Sequence, residues 1–229
     1  RVHAAKITLL DKQVGRLLRK LDEMGDLDNT LVIFTSDNGP HGAAGGHDFE
    51  FFNSNGDLKG FKRDLYEGGV RVPMIAFWEN KISKGVSTNH ISAFQDIMPT
   101  LAEVAGINIP THTNGLSFLP TLLNKEQDKH EFLNWELQLS GWFQTLPDGG
   151  FRQSCRMDNW KAVRYGINSE IELFNLNQDI SESNNIASQH PELTERMIKI
   201  FESSRIDAPF FPYGGVIQNY KSQDKHLKE

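Results

Sequence analysis

The feature that most constrains this chain is a short apolar run that stops abruptly at a polar turn. Residues 31–34 are all apolar, without alternation, which is typical of a strand buried on both faces of a parallel sheet. The run is followed at once by Thr35-Ser36-Asp37-Asn38-Gly39-Pro40. Ligands of open α/β sheets bind beyond the carboxyl ends of the strands, and a carboxylate beside an amide oxygen suits a hard cation such as calcium. The sequence therefore predicts either a ligand site at Asp37 and Asn38 or a plain turn, since Asp-Asn-Gly is also a common turn former.

Regular elements flank this strand on both sides. Apolar residues spaced three and four apart predict an amphipathic helix before it, with Gly25 as the C-terminal stop. Residues 74–78 form a second unalternating apolar run and predict another buried strand. Ile97–Val104 predicts a helix, with Asp96 as its N-cap and Gly106 as its stop. Because helix and strand alternate, this part of the chain is predicted to be an α/β layered domain.

The second half of the chain has a different pattern. Short strand-like runs occupy residues 132–137, 151–157, 160–165 and 171–176, and Asp158-Asn159 predicts a hairpin turn. Pro191 predicts the start of a closing helix that extends to about Ser204. We therefore predict an α/β chain in two parts. Residues 1–125 contribute helices and strands to a layered sheet, and residues 126–229 form a small antiparallel sheet packed on a helix.

Composition and charge argue against several classes of protein. The chain of 229 residues has a formal net charge of −6 and no Lys/Arg-rich run, which argues against nucleic acid as the main partner. No apolar run approaches the roughly 20 residues that span a bilayer. Cys155 is the single cysteine, so neither an internal disulfide nor a CxxC zinc pattern exists. The sequence carries no signal for an oligomeric state.

Two regions after the first strand carry further candidate residues. Residues 58–73 combine two lysines and two arginines with a glycine pair, and the ammonium of Lys62 suits one oxygen of an anionic group. The alternative for any single lysine there is a solvated basic turn. His41 and His47 lie in residues 39–60, a Gly-rich stretch that predicts a long loop without helix or strand. Either histidine could donate a proton or contact substrate, the alternative being an exposed loop histidine.

The order of these motifs resembles the type I, formylglycine-dependent sulfatase family over nearly the whole chain. The matching segments are Ser36-Asp37-Asn38-Gly39, Lys62, Tyr66-Glu67-Gly68-Gly69-Val70-Arg71-Val72-Pro73, Phe94-Gln95-Asp96-Ile97-Met98-Pro99-Thr100-Leu101, Arg156-Met157-Asp158-Asn159-Trp160-Lys161-Ala162-Val163-Arg164 and Glu172-Leu173-Phe174-Asn175-Leu176. The block from Lys62 to Pro73 is the most specific. The extended loop around His47 resembles a bacterial subset that acts on polysaccharides.

The resemblance implies an alkaline-phosphatase-like sheet and a sulfuric ester hydrolase that acts on sulfated carbohydrates. Asp37 and Asn38 would be two ligands of one calcium ion, and Lys62 would bind a sulfate oxygen and stabilise developing charge. His41 and His47 stay candidates for substrate binding from their place in the loop alone. The nucleophile of such enzymes is a Cys or Ser converted to formylglycine, whose hydrated aldehyde attacks the sulfur. The resemblance also implies a periplasmic or extracellular location.

The chain departs from the family at the nucleophile. The family motif is Cys or Ser, any residue, then Pro, and none of the nine prolines has Cys or Ser two positions before it. The resemblance therefore implies a chain without the N-terminal half, which carries the formylglycine and the other acidic calcium ligands. We expect such a chain to be inactive alone. Two alternatives stay open: a phosphodiesterase or phosphonate hydrolase of the same superfamily, and a non-catalytic interaction module that keeps the scaffold.

Overall fold

The computed structural model describes residues 1–42, 45–139, 145–146, 148–206, 208 and 213–214. These residues form two compact units that interleave along the chain. The first unit comprises residues 1–37, 43–52 and 72–130, and the second comprises 38–42, 53–71 and 131–229. The predicted division into residues 1–125 and 126–229 stays a prediction.

The helices and strands follow the order expected from the sequence. The helices are α1 (Val2–Met24), α2 (Phe49–Phe52), α3 (Glu67–Val70), α4 (Ile97–Val104), α5 (Leu119–Leu122) and α6 (Pro191–Ser203). The strands are β1 (Val32–Thr35), β2 (Met74–Phe77), β3 (Leu133–Gln138), β4 (Phe151–Met157), β5 (Trp160–Tyr165) and β6 (Glu172–Asn175). Single turns of 3-10 helix occupy Leu27–Asn29, Phe94–Asp96 and Ala187–Gln189. In the described residues, no helix is long and apolar enough to cross a membrane.

The first unit confirms the predicted helices and corrects the environment of the strands. Helix α1 ends at Gly25, whose φ of 75° is the left-handed conformation that glycine favours at this position. Strands β1 and β2 pair antiparallel, not parallel, with Val32 opposite Phe77. They are also only partly buried, since Phe34 is 39% and Ile75 63% exposed. An unalternating apolar run indicates an apolar setting for a strand, but it carries no information on the direction of its neighbour.

Two local expectations in the first unit also need correction. The stretch 39–60 contains one helical turn, α2, because the Asp48 carboxylate accepts the Phe51 N–H at 2.9 Å and so nucleates it. Asp96 occupies the N-cap position of α4, but its side chain does not cap that helix. Its carboxylate accepts the N–H groups of Ala93 and Leu116 and lies 2.8 Å from Nε2 of His130. Asp96 therefore ties the start of α4 to residues distant in sequence.

The second unit is built on a four-stranded antiparallel sheet in the order β3-β4-β5-β6. Successive side chains of a strand point to opposite faces, so the register defines two faces. One face carries Cys155, Ala162 and Leu173, which form a core with Met197 and Phe201 of α6. This confirms the predicted small antiparallel sheet packed on a helix. The opposite face carries charged residues that contact residues 58–71, hereafter the lysine segment.

Candidate functional site

Lys62 lies in a tight turn at the centre of the lysine segment. The N–H of Asp64 donates to the Phe61 carbonyl oxygen at 2.8 Å, which closes a β-turn with Lys62 and Arg63 in its two central positions. Arg63 has a φ of 84°, a value that type II turns require at their third residue and that normally selects glycine. The turn therefore projects Lys62 from a strained backbone.

Two backbone hydrogen bonds join the lysine segment to the residues that follow β1. The N–H of Lys62 donates to the Pro40 carbonyl oxygen at 2.8 Å, and the N–H of Gly39 donates to the Gly69 carbonyl oxygen at 2.8 Å. Asn38 is followed directly by Gly39, the donor of one bond, and by Pro40, the acceptor of the other. The fold thus holds the backbone of a predicted metal ligand, Asn38, next to that of the predicted sulfate-binding residue, Lys62.

Glycine is required where these segments meet. A Cβ on Gly39 would lie 1.8 Å from the Gly68 carbonyl oxygen, and one on Gly69 would lie 2.0 Å from the Asp64 carbonyl oxygen. Both distances are far shorter than any real contact between a carbon and an oxygen. The glycine pair of the sequence motif therefore lets α3 approach the turn of Lys62, and Gly39 lets the residues after β1 approach α3.

A buried ion network anchors the base of α3 to the four-stranded sheet. Lys161 Nζ on β5 is fully buried and lies 2.8 Å from Glu67 Oε1 and 3.3 Å from Glu182 Oε1. Arg71 Nε and Arg156 lie 2.6 Å and 3.4 Å from Glu67 Oε2. Glu182 also accepts the backbone N–H of Glu67 at 2.6 Å. Charges buried this deeply require partners, so the network fixes Glu67 and the glycine pair that follows it.

The two carboxyls that share Lys161 respond differently to burial. Burial favours the neutral form of Glu67, but Lys161, Arg71 and Arg156 outweigh it and lower the pKa of that carboxyl to about 2. Burial also raises the pKa of Glu182, and the attraction of Lys161 does not fully offset it. Glu67 is therefore the stronger acid of the pair.

The neighbouring cations of the lysine segment are engaged by the protein itself. Lys59 Nζ lies 3.3 Å from Glu172 Oε2 and 3.8 Å from the centre of the Tyr66 ring. Tyr66 donates its hydroxyl to the same Glu172 oxygen at 2.7 Å. Arg71 is bound to Glu67, as expected of a structural residue. Lys62 is partly buried, and within the described ranges its ammonium forms no ion pair. Lys62 is thus the lysine of this segment whose charge is available for an anion.

Asp37 and Asn38 have the chemistry of calcium ligands but form only part of a shell. Asp37 is exposed, and Asn38 is partly buried with its Nδ2 donating to the Gly39 carbonyl oxygen at 3.2 Å. Carboxylate and amide oxygens are hard donors, so these residues fit Ca²⁺, which takes six to eight oxygens. Among the residues that the structure describes, no group of three or more His, Cys, Asp or Glu could hold a metal ion.

The two predicted substrate-binding histidines fall in different units. His41 follows Pro40 in the second unit and is partly buried. His47 belongs to the first unit, where its ring stacks on that of His3 at 4.6 Å and lies near Phe52. The roles of both histidines in substrate binding stay predictions.

Sequence reasoning missed the sheet residues that support the lysine segment. Arg152 and Arg156 of β4 and Lys161 of β5 share one face, and each contacts a carboxylate of the lysine segment. Charged residues at alternate positions of otherwise buried strands were the available signal, because a buried charge requires a partner. The identity of the partner was not readable, since Asp64 and Glu67 lie far from them in the chain.

Comparisons with protein families give two overlapping matches. The sulfatase family matches residues 1–107. The C-terminal region of N-sulphoglucosamine sulphohydrolase matches residues 58–206, which is more than half of the chain. The overlap contains the whole lysine segment.

Individual relatives and solved structures agree with these matches. The uncharacterized sulfatase YdeN of Escherichia coli is 29% identical over 84% of this chain and 38% of its own. The N-acetylgalactosamine-6-O-sulfatase of Bacteroides thetaiotaomicron is 31% identical over 86% of this chain and 40% of its own. A solved Bacteroides thetaiotaomicron structure from a locus for glycosaminoglycan metabolism has a TM-score of 0.69 at 28% identity, covering 85% of this chain and 42% of the other. The chain thus spans about two fifths of the length of these relatives.

A more distant likeness extends the fold beyond these proteins. The phosphonate monoester hydrolase of Silicibacter pomeroyi has a TM-score of 0.61 over 82% of this chain and 38% of its own, at 20% identity. An identity this low shows the fold alone. Together the structural likenesses confirm the predicted α/β, alkaline-phosphatase-like fold class.

Proposed function

This chain belongs to the sulfatase family, and from that premise we propose that it is part of a sulfuric ester hydrolase acting on sulfated carbohydrates. The observation that carries the proposal is the setting of Lys62. Its ammonium projects from a tight turn and has no ion-pair partner among the described residues. Its backbone N–H donates a hydrogen bond to the carbonyl oxygen of Pro40, two residues after Asn38. A lysine ammonium that forms no ion pair within the described residues suits a small anionic group such as sulfate.

We assign each candidate residue a role within this proposal. Lys62 binds one sulfate oxygen and stabilises the negative charge that develops as the ester bond breaks. Asp37 and Asn38 hold one Ca²⁺ ion, which when bound offsets charge on the sulfate oxygens. His41 and His47 contact the substrate. The nucleophile, a formylglycine, and the remaining calcium ligands lie outside this chain, so we expect the chain alone to be inactive.

The substrate class and location complete the proposal. A relative is named for N-acetylgalactosamine-6-sulfate, and another comes from a glycosaminoglycan locus, which supports a sulfated carbohydrate as substrate. We propose a periplasmic or extracellular location, where such polymers occur. Residues 1–125 are proposed to belong to the catalytic α/β domain and residues 126–229 to a C-terminal subdomain.

The test is the activity of the protein expressed from its natural gene. Release of inorganic sulfate is measured from 6-sulfated N-acetylgalactosamine and from an aryl sulfate, in parallel with a phosphonate monoester and a phosphodiester. We expect sulfate release to have the highest kcat/KM. Faster cleavage of the phosphorus esters would replace the proposal by the phosphonate hydrolase alternative. No turnover of any ester, despite binding of the sulfated sugar, would favour the interaction module.

A further inference from the structure

We propose that Arg152 is a positioning residue, which holds Lys62 in place through hydrogen bonds to the strained turn that contains it. This inference rests on the proposed role of Lys62. Arg152 lies on β4, 90 positions after Lys62 in the chain. Its guanidinium contacts the turn and also contacts Asp148 and Tyr165.

The turn of Lys62 needs an external contact to keep its shape. Arg63 has a φ of 84°, a left-handed conformation in which a side chain other than glycine is strained. The turn's own hydrogen bonds are the Asp64 N–H to the Phe61 carbonyl oxygen and the Phe61 N–H to Asp64 Oδ2, at 2.8 and 2.9 Å. Both depend on the position of Asp64, so whatever fixes Asp64 also fixes the turn.

Arg152 binds the turn at its third and fourth residues together. Its NH1 group donates to the Arg63 carbonyl oxygen at 2.8 Å and to Asp64 Oδ1 at 3.1 Å. The strained residue and the carboxylate that closes the turn are therefore held by one guanidinium nitrogen. A planar, permanently charged guanidinium can hold two acceptors in a fixed geometry, which a lysine ammonium does less well.

Arg152 is itself immobilised by the sheet. Its side chain is buried, its Nε donates to Asp148 Oδ2 at 2.9 Å, and its guanidinium lies 4.2 Å from the centre of the Tyr165 ring. Tyr165 donates its hydroxyl to Asp64 Oδ1 at 3.0 Å and accepts the Leu65 N–H at 3.1 Å. Burial and the Asp64 carboxylate raise the pKa of Tyr165, so this hydroxyl stays a donor. Arg152 and Tyr165 of the sheet thus fix the position of Asp64, and with it the shape of the turn.

The first test follows the Lys62 amide by hydrogen exchange in the 229-residue chain. In Arg152→Met we expect the amides of Lys62 and Asp64 to exchange at least about tenfold faster, because the turn holds both N–H groups against their acceptors, the carbonyl oxygens of Pro40 and Phe61. The amides of Met197 and Phe201 in α6 should change less than about twofold. Arg196→Met, which removes an exposed arginine paired with Glu131, is the matched control and should leave the Lys62 amide unchanged. Equal acceleration everywhere, or none at Lys62, would overturn the proposal.

The second test is a double-mutant cycle in the protein expressed from its natural gene. If Arg152 acts through Lys62, Arg152→Met lowers kcat about tenfold with little change in KM, and Lys62→Met/Arg152→Met is no slower than Lys62→Met alone. Arg152→Lys should recover part of the rate. Should Arg152→Met not fold, Tyr165→Phe, which removes the other side-chain contact from the sheet to Asp64, takes its place. Additive losses would overturn the positioning role, whereas full activity of Lys62→Met would overturn the proposed function instead.

Discussion

The backbone N–H of Lys62 donates a hydrogen bond to the carbonyl oxygen of Pro40 over 2.8 Å. This bond joins two motifs that lie 22 positions apart, the turn after the first strand and the lysine segment. A companion bond from Gly39 to Gly69 runs beside it. These two hydrogen bonds form a backbone frame that holds the lysine segment against the residues after β1.

Alanine at Gly39 should break this frame. Its Cβ would overlap the Gly68 carbonyl oxygen, so Gly39→Ala is expected to lower the free energy of unfolding by about 1–3 kcal/mol. Gly42→Ala is the matched control in the same stretch, because its Cβ would meet Phe61 at an ordinary 3.5 Å. Denaturant unfolding of both variants checks this. Equal stability of the two variants would show that a Cβ on Gly39 does not overlap the Gly68 carbonyl oxygen.

Removing the buried lysine should cost far more than removing an exposed one. Lys161→Met leaves Glu67 and Glu182 buried together, and we expect a loss of about 3–5 kcal/mol in the free energy of unfolding. Lys199→Met breaks only an exposed pair with Glu195 and should leave the free energy of unfolding unchanged within the error of the measurement. Urea unfolding at pH 7 measures both. A small loss for Lys161→Met would mean that its two partners are not ionised in the folded state.

Glu67 should make the protein sensitive to acid. Its pKa is about 2 in the folded protein against a usual value of 4.5, so the unfolded state binds its proton first as the pH falls. The stability it contributes, on the order of 3 kcal/mol, is complete above about pH 5 and is lost towards pH 2. The raised pKa of Glu182 acts in the opposite sense. Unfolding free energies of wild type and Glu67→Gln across pH 2–7 test this, and parallel curves would contradict it.

Lys62 should affect the chemical step of the reaction. In the protein expressed from its natural gene, Lys62→Met is expected to lower kcat about 10²–10³-fold, the effect of removing one stabiliser of transition-state charge. Lys84→Met is the control, since Lys84 is exposed and forms a long ion pair, with its Nζ 3.9 Å from Glu79 Oε1. Steady-state kinetics of sulfate release distinguish the two. A rise in KM alone would mean that Lys62 binds the ground state and the transition state equally and does not act on the chemical step.

Removal of calcium should abolish the activity of the same protein reversibly. After chelation we expect no sulfate release, and titration with Ca²⁺ should restore it. Asp37→Ala should require at least about tenfold more calcium for half activity, because one carboxylate ligand is lost. Asp57→Ala, an exposed aspartate elsewhere in the chain, serves as control. Activity that survives chelation, or an unchanged calcium requirement in Asp37→Ala, would remove Asp37 from the metal site.

Local elements and the order of the motifs were readable from the amino-acid sequence. Residue patterns placed the end of α1, the whole of α4 and the strands β3 to β6 within one or two residues, because helix and strand periods are properties of short segments. The sequence also placed the hairpin at Asp158, whose φ of 50° fits a turn residue. Asp37, Asn38 and Lys62 were identified from motif order, and their functional roles stay predictions.

The distant residues that support the site became visible in the folded chain alone. Lys161 looks like an ordinary strand lysine in the sequence, yet it is fully buried against Glu67 and Glu182. Arg152 meets the turn of Lys62, and β1 pairs antiparallel with β2, although neither pattern encodes a partner. The physical reason is that the spacing of apolar residues indicates only which side of one segment is buried. Strand direction and the pairing of buried charges depend on which segments the completed fold brings within a few ångströms of each other.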